Sequence, residues 1–496
     1  MPSYQSNLSG LRIAEEVIGT PKTLPGTPIW EPVEPNSYKD FGSEVKTVAR
    51  SPIASDRQNR KGVVVDVDAS AGYTVDATTK SLLSSIQGFM FASWRKKAEL
   101  VPTAVTGTQY TVAASGTNFE ANSLLYAENY ATAGNNGLKL VTASTGTSVS
   151  AAGLTAEAGP PSDAKITKVG FEFAAGDLTL TVTGTTAVIG ATAKNLTQLG
   201  LIPGEWLWLG GDAAANRLAT AASNGFYRVA SVTATAITCD RIPDTAATDA
   251  GAGKTVRLFM GNAIKNEWDP TLQVFRTYQI ERQYTSAVLE YVLGSAANKL
   301  KLDTKTADKL TADLEFVALD TDVTQVAAKA GTRPSVKPQT AFSSSTDFTR
   351  LRLLNDADAT SLAVYLTDMS LEIDNGIEAD KAIGTIGGVD FSFGNFMVSG
   401  SVEAYFSSMT AVSLVRSNAT VSLDFGMVAN VAFPGVGNVA QGILFDMPSV
   451  DLGDGRLKVE KDKKVKLPLN LSANAHATYN HTLMMVHFPY LPQLAL

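Results

Sequence analysis

The stretch that decides the fold is GVVVDV at residues 62–67, with AGYTV at 71–75 and TTKSLLSSIQGFMFASW at 78–94. The first two segments predict strands, and the third predicts an amphipathic helix. One apolar stripe along this helix is formed by Leu82, Leu83, Ile86, Phe89 and Met90. A stripe of this kind needs a sheet to cover. We therefore predict two strands and a helix that packs against them.

A similar theme follows near the other end of the chain. Residues 389–393 and 396–405 predict strands, and residues 407–416 predict a shorter helix. The two copies match in pattern and not in residue identity. Two copies of one small sheet predict a subunit that forms rings.

Composition favours a mainly β protein. The 496 residues are 44% hydrophobic and 18% charged, and Ala, Thr, Ser, Val and Gly are abundant. These residue types are typical of strands joined by tight turns. A chain of this length has room for roughly two to four domains.

Several protein classes are disfavoured by the same data. The single cysteine, Cys239, cannot form an intrachain disulfide, which favours synthesis in the cytosol. Residues 1–19 do not read as a signal peptide, and no apolar run is long enough to cross a bilayer. The net charge of −7 argues against a protein that wraps nucleic acid, because such binding depends on Lys and Arg. It is compatible with a wall along which DNA slides.

Residues 1–61 are predicted to form a long irregular arm. Five prolines recur at short intervals: Pro21, Pro25, Pro28, Pro32 and Pro35. Each proline removes a backbone donor, so neither a helix nor a central strand fits. The arm also carries Trp30, Tyr38 and Phe41. So many aromatic groups predict either contact with a partner or an arm folded back on its own domain.

The composition changes between residues 101 and 260, where Ala, Thr, Gly and Ser dominate and charges are sparse. This block contains an internal echo, because Asn136-Gly137 and Asn224-Gly225 each precede a short segment with strand character. An Asn-Gly pair favours a tight hairpin turn with positive backbone angles. We predict two small β-barrel or sandwich modules inserted into the main domain.

The chain after this insert is predicted to return to the main fold. Residues 277–282 alternate as a strand does, whereas residues 287–293 and 310–317 fit a helix or a strand. Residues 326–348 predict a linker to a second lobe. The strands of this lobe are predicted at 371–375, 389–405, 419–425, 442–446 and 464–473.

Signals for catalysis or metal binding are weak. His476, His481 and His487 lie at spacings of five and six, which match no zinc pattern. No nucleophile elbow stands between a strand and a helix, and Cys239 fits a small core residue better than a reactive thiol. We therefore predict no enzyme activity, no cofactor and no metal site.

Several short motifs follow one another along nearly the whole chain. In order they are EEVIGTP at 15–21, SDRQ at 55–58, the two Asn-Gly elements, YQIE at 278–281 and LEIDNG at 371–376 with Ile383-Gly384. Their order resembles that of the tail tube proteins of long, flexible, non-contractile bacteriophage tails.

The resemblance implies two tandem tube domains of β-sandwich or half-barrel form, each with a flanking helix, and a small all-β insert. Residues 1–100 with 261–345 would form the first tube domain, and 346–496 the second. Residues 101–260 would project outward. Three subunits would form a pseudo-hexameric ring whose strands close a β-barrel, which would satisfy the open sheet edges.

The resemblance also implies partners and a location. Stacked rings would form the tail tube of a virion, assembled in the bacterial cytoplasm, through which DNA is ejected into the host cell. The partners would be further copies of the chain, the tape measure, tail terminator and distal tail proteins, and double-stranded DNA in transit. No part of the chain would enter a membrane.

The lumen of such a tube is predicted to carry net negative charge. Duplex DNA has one phosphate charge per about 1.7 Å, so clusters of Lys or Arg would arrest its passage. The candidate lumen-facing residues are Asp66, Asp68, Asp390 and Glu403.

The arm is predicted to connect stacked rings. Its deletion over residues 20–61 should then leave soluble rings that do not elongate. Mixed charges suit register and specificity, so stacking should be sensitive to salt. The candidate contacts are Trp30, Tyr38, Lys39, Asp40, Glu44, Arg50, Asp56 and Arg57.

An alternative function is a surface adhesin or carbohydrate-binding protein that acts through the insert. Trp206 and Trp208 lie on one face of a strand predicted at 204–209, and an exposed pair of this kind would hold a sugar. Two such rings on one strand more often pack into a core.

Overall fold

A computed structural model of the protein describes residues 9–53, 55–56, 58, 60–285, 287–322, 327–336, 339–357, 361–362, 365–406, 408–433 and 436–496. Arg57, one of the candidate arm contacts, lies outside the described residues. The described chain consists mainly of antiparallel strands with two α-helices, which confirms the mainly β fold.

The first part of the chain contains β1 (Gly10–Glu15), β2 (Glu31–Val33), β3 (Pro35–Arg50), β4 (Arg60–Asp76) and α1 (Ile86–Met90). The insert contains β5 (Glu99–Leu100), β6 (Ala104–Val105), β7 (Gln109–Thr111), β8 (Ser123–Glu128), β9 (Gly137–Thr145), β10 (Ser148–Ala151), β11 (Lys165–Glu172), β12 (Thr179–Thr183), β13 (Thr186–Gly190), β14 (Trp206–Leu209), β15 (Gly225–Val232), β16 (Ala236–Arg241) and β17 (Arg257–Met260). The chain then forms β18 (Asn262–Lys265), β19 (Thr277–Thr285), β20 (Val288–Lys305), β21 (Thr311–Ala318), β22 (Asp320–Asp322), β23 (Phe348–Asn355) and β24 (Leu366–Asp374). The last part contains β25 (Glu378–Asp380), β26 (Asp390–Ser392), β27 (Met397–Tyr405), α2 (Thr410–Ser417), β28 (Val421–Phe433), β29 (Gly437–Asp454), β30 (Lys466–Ala473) and β31 (Met484–Leu491).

One large sheet joins the two ends of the chain. Eight of its strands follow in the unbroken antiparallel order β3-β4-β21-β20-β24-β27-β30-β29, which we call the continuous sheet. Its strands alternate between buried apolar residues and more exposed polar ones, as in TADLEFVA of β21. The apolar face covers one hydrophobic core, to which both ends of the chain contribute.

The strand order of the first half recurs in the second half. The first half runs β1-β19-β20-β21-β4-β3, and the second runs β23-β28-β29-β30-β27-β24. β4 lies beside β21 over eight residue pairs, and β27 lies beside β30 over eight pairs. A helix follows β4, and a helix follows β27. A two-strand and helix theme is therefore present twice.

The members of this theme differ from the prediction in the first copy. Residues 62–67 and 71–75 belong to the single strand β4, because β3 provides a ladder along its whole length. The partner strand β3 lies in the segment that was predicted to be an irregular arm, and this prediction is wrong. Pro32 and Pro35 lie in β2 and β3, which each pair on one side, so their missing donors break no inner ladder.

The predicted helix over residues 78–94 is much shorter, and only Ile86–Met90 is α-helical. Thr78 and Ser81 exchange hydrogen bonds of 2.9 Å between each backbone N–H and the other's hydroxyl, which stabilises a turn instead of a helix. Phe91 ends the helix in a left-handed conformation. Four of the five stripe residues are nevertheless buried, as predicted. In the second copy, α2 begins three residues later than predicted, and Ser407 itself lies outside the described residues.

The insert forms its own sheet, in the order β12-β13-β16-β15-β14-β17-β11-β8-β9-β10-β7-β6. The order is symmetric about its centre, where β17 pairs with β11. Counted outward from there, β14 corresponds to β8, β15 to β9, β16 to β10 and β13 to β7. Each Asn-Gly pair precedes a strand, as predicted, but neither makes a hairpin turn. Asn136 instead bonds the backbone of Tyr130 through both side-chain groups, and Asn224 does the same with Leu218.

Candidate assembly surface

The polar face of the continuous sheet is built by strands from both halves of the repeated order. Cross-strand pairing places nine carboxylates and five lysines on this face. The carboxylates are Asp76, Asp303, Asp313, Glu315, Asp368, Glu372, Asp374, Glu403 and Asp451, and the lysines are Lys39, Lys299, Lys301, Lys305 and Lys466. Nine negative and five positive groups leave a net charge of −4 among these paired residues. Lys309 and Lys458 reach Asp76 and Glu403 from outside the paired strands and reduce the surplus on this face to −2.

Ion pairs cross the strands of this face. Lys299 Nζ lies 2.8 Å from Asp374 Oδ2, and Lys39 Nζ lies 2.5 Å from Glu315 Oε1. Lys301 and Lys466 are likewise paired, with Asp303 and Glu403, and the surplus of charge is negative. Such exposed pairs contribute little stability, about 0–1 kcal/mol each, but they fix where charge lies on the face.

Three of the four candidate lumen residues lie on this face or on its extension. Asp66 and Asp68 follow the same alternation along β4, beyond the part that pairs with β21. Both carboxylates bind Lys381, and Asp68 also binds Lys46. These hydrogen bonds lower the pKa of both carboxyl groups. The two acids are therefore charged but are largely neutralised by lysines.

Glu403 lies on β27 between two lysines. Its Oε2 accepts a hydrogen bond from Lys466 at 2.5 Å, and its Oε1 accepts one from Lys458 at 2.9 Å. These bonds lower the pKa of Glu403 to about 2. The structure therefore places Glu403 on the polar face as one member of a triad with two positive groups.

Asp390 lies elsewhere, in the two-stranded ribbon formed by β25 and β26. It pairs with Asp380 across the ribbon, and its Oδ1 accepts a hydrogen bond from the backbone N–H of Phe391 at 2.9 Å. The ribbon also carries Lys381, which reaches Asp66 and Asp68. Asp390 therefore belongs to a ribbon that contacts the extension of β4, and it is not part of the polar face.

The outer part of the β3/β4 pair is largely exposed. We call residues 43–50 with 60–68 the distal hairpin. Its only described ladder is the one between its two strands, since β21 reaches β4 no further than Ala69. Five of its valines are 45% to 58% exposed: Val45, Val48, Val63, Val64 and Val65. Open edges with exposed apolar side chains are templates for pairing with another chain.

The candidate arm contacts divide into two groups. Trp30 is fully buried and donates its Nε1–H to the Ala330 carbonyl at 3.1 Å, so it belongs to the core of its own subunit. Tyr38 is half-buried beneath Arg282, whose guanidinium carbon lies 5.3 Å from the ring centre. The remaining described candidates, Lys39, Asp40, Glu44, Arg50 and Asp56, are exposed.

A buried ionic cluster between the insert and β29 was not predicted. Arg228 is 1% exposed and lies 2.6 Å from Asp240 and 3.1 Å from Asp446. Burial raises the pKa of Asp446 to about 6, although Arg228 opposes this effect. Beside this cluster, Arg350 lies 4.6 Å above the ring of Trp206. The four charged residues stand far apart in the sequence, and no local pattern identifies them.

An apolar cluster fixes the same contact. Trp206, Trp208 and Phe226 of the insert pack in one cluster with Leu444 and Phe488 of the main sheet. The two Trp rings are therefore core residues, and the sugar platform considered for them is not exposed. The insert is attached through a shared core as well as through its two chain connections.

Other chemical signals add little to this surface. The part of the chain that the structure describes contains no cluster of three or more His, Cys, Asp or Glu that could hold a metal ion. Burial lowers the pKa of His481 to about 3 and of His487 to about 4. Cys239 is buried, which raises the pKa of its thiol. No described helix is long and apolar enough to span a bilayer.

Comparison with known proteins identifies a family. The family model described as "Phage tail tube protein" matches residues 6–473 of the chain. A comparison with curated proteins finds no match.

Proposed function

Because the chain belongs to the family of phage tail tube proteins, we propose that three copies close into a ring and that stacked rings form the tube through which DNA leaves the virion. The family match makes the chain a structural component of a phage tail. The size of the ring and the passage of DNA are the parts that we propose. The observation that carries the proposal is a duplicated sheet whose outer edges are open.

The open edges favour self-association. β3 pairs only with β4 in the described chain, and the distal hairpin has no other described partner strand. A two-stranded hairpin is marginally stable in water by itself. Copies of the same chain offer the matching strands, as in closed barrels, which have no edges.

The charge of the polar face suits a conduit for DNA. We propose that this face lines the lumen and that Glu403, with Asp66 and Asp68 on the extension of β4, faces inward. A surplus of two negative charges on this face repels the phosphates, so the duplex slides without binding. Asp390 lies on the ribbon, so we propose that it borders the lumen and does not line it.

We also propose the division into domains that follows from the sheets. Residues 1–100 with 261–345 contribute the first tube domain, 101–260 the insert, and 346–496 the second tube domain. The change of sheet between β17, which ends at Met260, and β18, which begins at Asn262, supports the second boundary. The tape measure, tail terminator and distal tail proteins are the proposed partners during assembly in the host cytoplasm, and no catalytic role is proposed.

The function is tested by the assembly state of the purified chain. Sedimentation should show trimers at low concentration, and electron microscopy should show tubes of uniform bore at high concentration. A chain that stays monomeric at all concentrations would contradict the proposal. Binding of that monomer to a glycan array would favour the adhesin instead.

A further inference from the structure

The duplicated sheet also identifies which edges meet between copies; this inference rests on the proposed function. Within the chain, the two halves of the continuous sheet are joined where β20 pairs with β24, from Lys299 opposite Asp374 to Lys305 opposite Asp368. The joint is thus made by the second half of an 18-residue strand and by the outer edge of a hairpin. It serves as a template for a second joint.

The equivalent edges for that second joint are β29 and β3. β29 is also an 18-residue strand, and it takes the place of β20 in the repeated order. β3 takes the place of β24. In the described chain the edge of β29 that corresponds to the joint has no strand beside it, and neither has the outer edge of β3. One joint is made inside the chain, and the other is left open.

The pairing within each half fixes the register of the open joint on β29. Leu314 of β21 pairs with Leu300 and Tyr73, and Leu469 of β30 pairs with Asp454 and Val402. Both leucines are the fourth residue of an eight-residue strand. Asp454 therefore takes the place of Leu300.

The same reasoning places residues on β3. Across the internal joint, Leu300 pairs with Ile373. Ile373 pairs in turn with Val398, and Val398 pairs with Ala473, the last residue of β30. The partner of the last residue of β21 is Ala69, which pairs with Ser43. Ser43 therefore takes the place of Ile373.

The other end of the joint follows in the same way. Lys305 pairs with Asp368, which pairs with Glu403. Thr74 takes the place of Glu403 in the first half, because each pairs with the third residue of its neighbouring eight-residue strand. Thr74 pairs with Ser37, so Ser37 takes the place of Asp368. Val459 lies five residues after Asp454, as Lys305 lies five residues after Leu300.

We propose that residues 454–459 of one copy pair in antiparallel fashion with residues 37–43 of the next copy. The register places Asp454 opposite Ser43 and Val459 opposite Ser37. The bulge at Asp40 then lies opposite Arg456, and the two side chains have opposite charges. Repeated around a ring of three copies, the eight-stranded continuous sheet would close into a barrel of 3 × 8 = 24 strands.

Both segments are available for this contact. The backbone of residues 455–458 bonds to β30, with 2.8 Å from the Lys458 N–H to the Lys466 carbonyl oxygen, and this leaves the opposite edge uncovered in the described chain. Val459 is 74% exposed, and Arg456 bonds to Asp454 on its own strand. Ser37 is exposed on β3.

The test is disulfide cross-linking between introduced cysteines. The single native cysteine, Cys239, is buried and does not compete for oxidation. The variants Ser37→Cys and Val459→Cys are purified separately, mixed, assembled and oxidised mildly. Directly opposite residues on neighbouring strands have the spacing that a disulfide needs. We expect a covalent dimer from the mixture, a much weaker band from either variant alone, and covalent trimers from the double variant. The matched control pairs Ser37→Cys with Lys463→Cys, which lies four residues beyond the joint and should give at least tenfold less dimer.

The outcomes separate this inference from the proposed function. Normal tubes without the expected cross-link, or with equal cross-linking through Lys463→Cys, would overturn the register and leave the tube function standing. A chain that forms neither rings nor tubes in electron micrographs would overturn both. Tubes of uniform bore in which Ser37→Cys cross-links to Val459→Cys and not to Lys463→Cys would support both.

Discussion

The two long hairpins of the molecule, β3/β4 and β24/β27, occupy equivalent places and end in different ways. The first continues as a ladder as far as the pair Arg50 and Arg60, beyond Ala69, the last residue of β4 that pairs with β21. The second stops at the pair Asp374 and Met397, and its connection folds into the β25/β26 ribbon, where Phe391 packs against the core. The outer edge of β24 is paired with β20, whereas that of β3 is open.

The difference shows which edge lacks a neighbouring strand in the described chain. One copy of the hairpin satisfies its edge and its apolar residues within the chain, and the other exposes both. Since the two copies share their strand order and pairing, the fold itself does not require the exposure of the first, and we attribute this exposure to the proposed assembly. Removing its exposed features should therefore affect assembly far more than folding.

The largest effect is expected from removing the distal hairpin. Residues 46–66 are replaced by Asn-Gly, which closes a type I′ turn on the pair of Val45 and Val67. The variant should fold, because none of the described residues between 46 and 66 belongs to the main core, and should form no tubes in electron micrographs. Deleting the whole of residues 20–61 is a poorer test, since it removes the buried Trp30. Normal tubes from the short variant would show that the hairpin is dispensable.

A smaller change should produce most of the same loss. Val48 and Val63 are paired and are 58% and 57% exposed, so the double substitution Val48→Glu/Val63→Glu places two like charges where a partner would bury them. We expect a tenfold or greater loss of tube yield by sedimentation, and an unfolding free energy changed by less than about 1 kcal/mol. Val101→Glu is the matched control, because Val101 is equally exposed and lies in the insert. If both variants assemble equally well, the valines are not an interface.

The hairpins also show what sequence alone could predict. The alternation of apolar residues predicted β27 and β30 nearly to their ends, since each strand has one buried face. Residues 310–317 were left open between a helix and a strand, and they form β21. β3 was missed because its outer half is exposed on both faces and its prolines lie at an edge, so neither signal for a strand applies. The helix over residues 78–94 was overestimated, since its apolar stripe is real but Thr78 and Ser81 form a competing turn.

The site was predictable only in part. The acidic character of the polar face follows from the composition of its strands, and Glu403 lies on this face. Its place in a lumen stays a prediction. The lysines that neutralise Asp66 and Glu403 come from distant segments, Lys381 and Lys458, and no local pattern connects them. The buried pair of Arg228 and Asp446 joins residues 218 positions apart and was missed for the same reason.

A more modest effect is expected where the two hairpins touch. Lys381 of the ribbon binds Asp66 and Asp68, so Lys381→Met removes the described contact that ties the base of the distal hairpin to the other half of the chain. Hydrogen exchange of residues 60–68 should become faster, while the unfolding free energy changes little. The lysine lowers the pKa of both carboxyl groups, so its stabilisation is present above their ordinary pKa and is lost as pH falls. Faster exchange should therefore appear at neutral pH and vanish in acid; equal exchange at pH 7 would contradict the proposed role.

The smallest effect on assembly is expected in the second hairpin, at Glu403. The substitution Glu403→Gln keeps the shape of the side chain and removes its charge from between Lys458 and Lys466. The two lysines lower the pKa of Glu403 from 4.5 to about 2, so the charged form is favoured in the folded state. The corresponding stability is present above pH 4.5 and is lost as pH falls towards 2.

Because both lysines are partly exposed, the loss of unfolding free energy in Glu403→Gln at pH 7 should be about 1 kcal/mol by urea unfolding and should shrink on acidification. Glu378→Gln, on the exposed ribbon, is the control and should change stability less. A loss of unfolding free energy that stays constant from pH 7 to pH 3 would show that the carboxylate acts through packing. If Glu403→Gln formed no tubes, assembly at this part of the face would depend on the charge of Glu403.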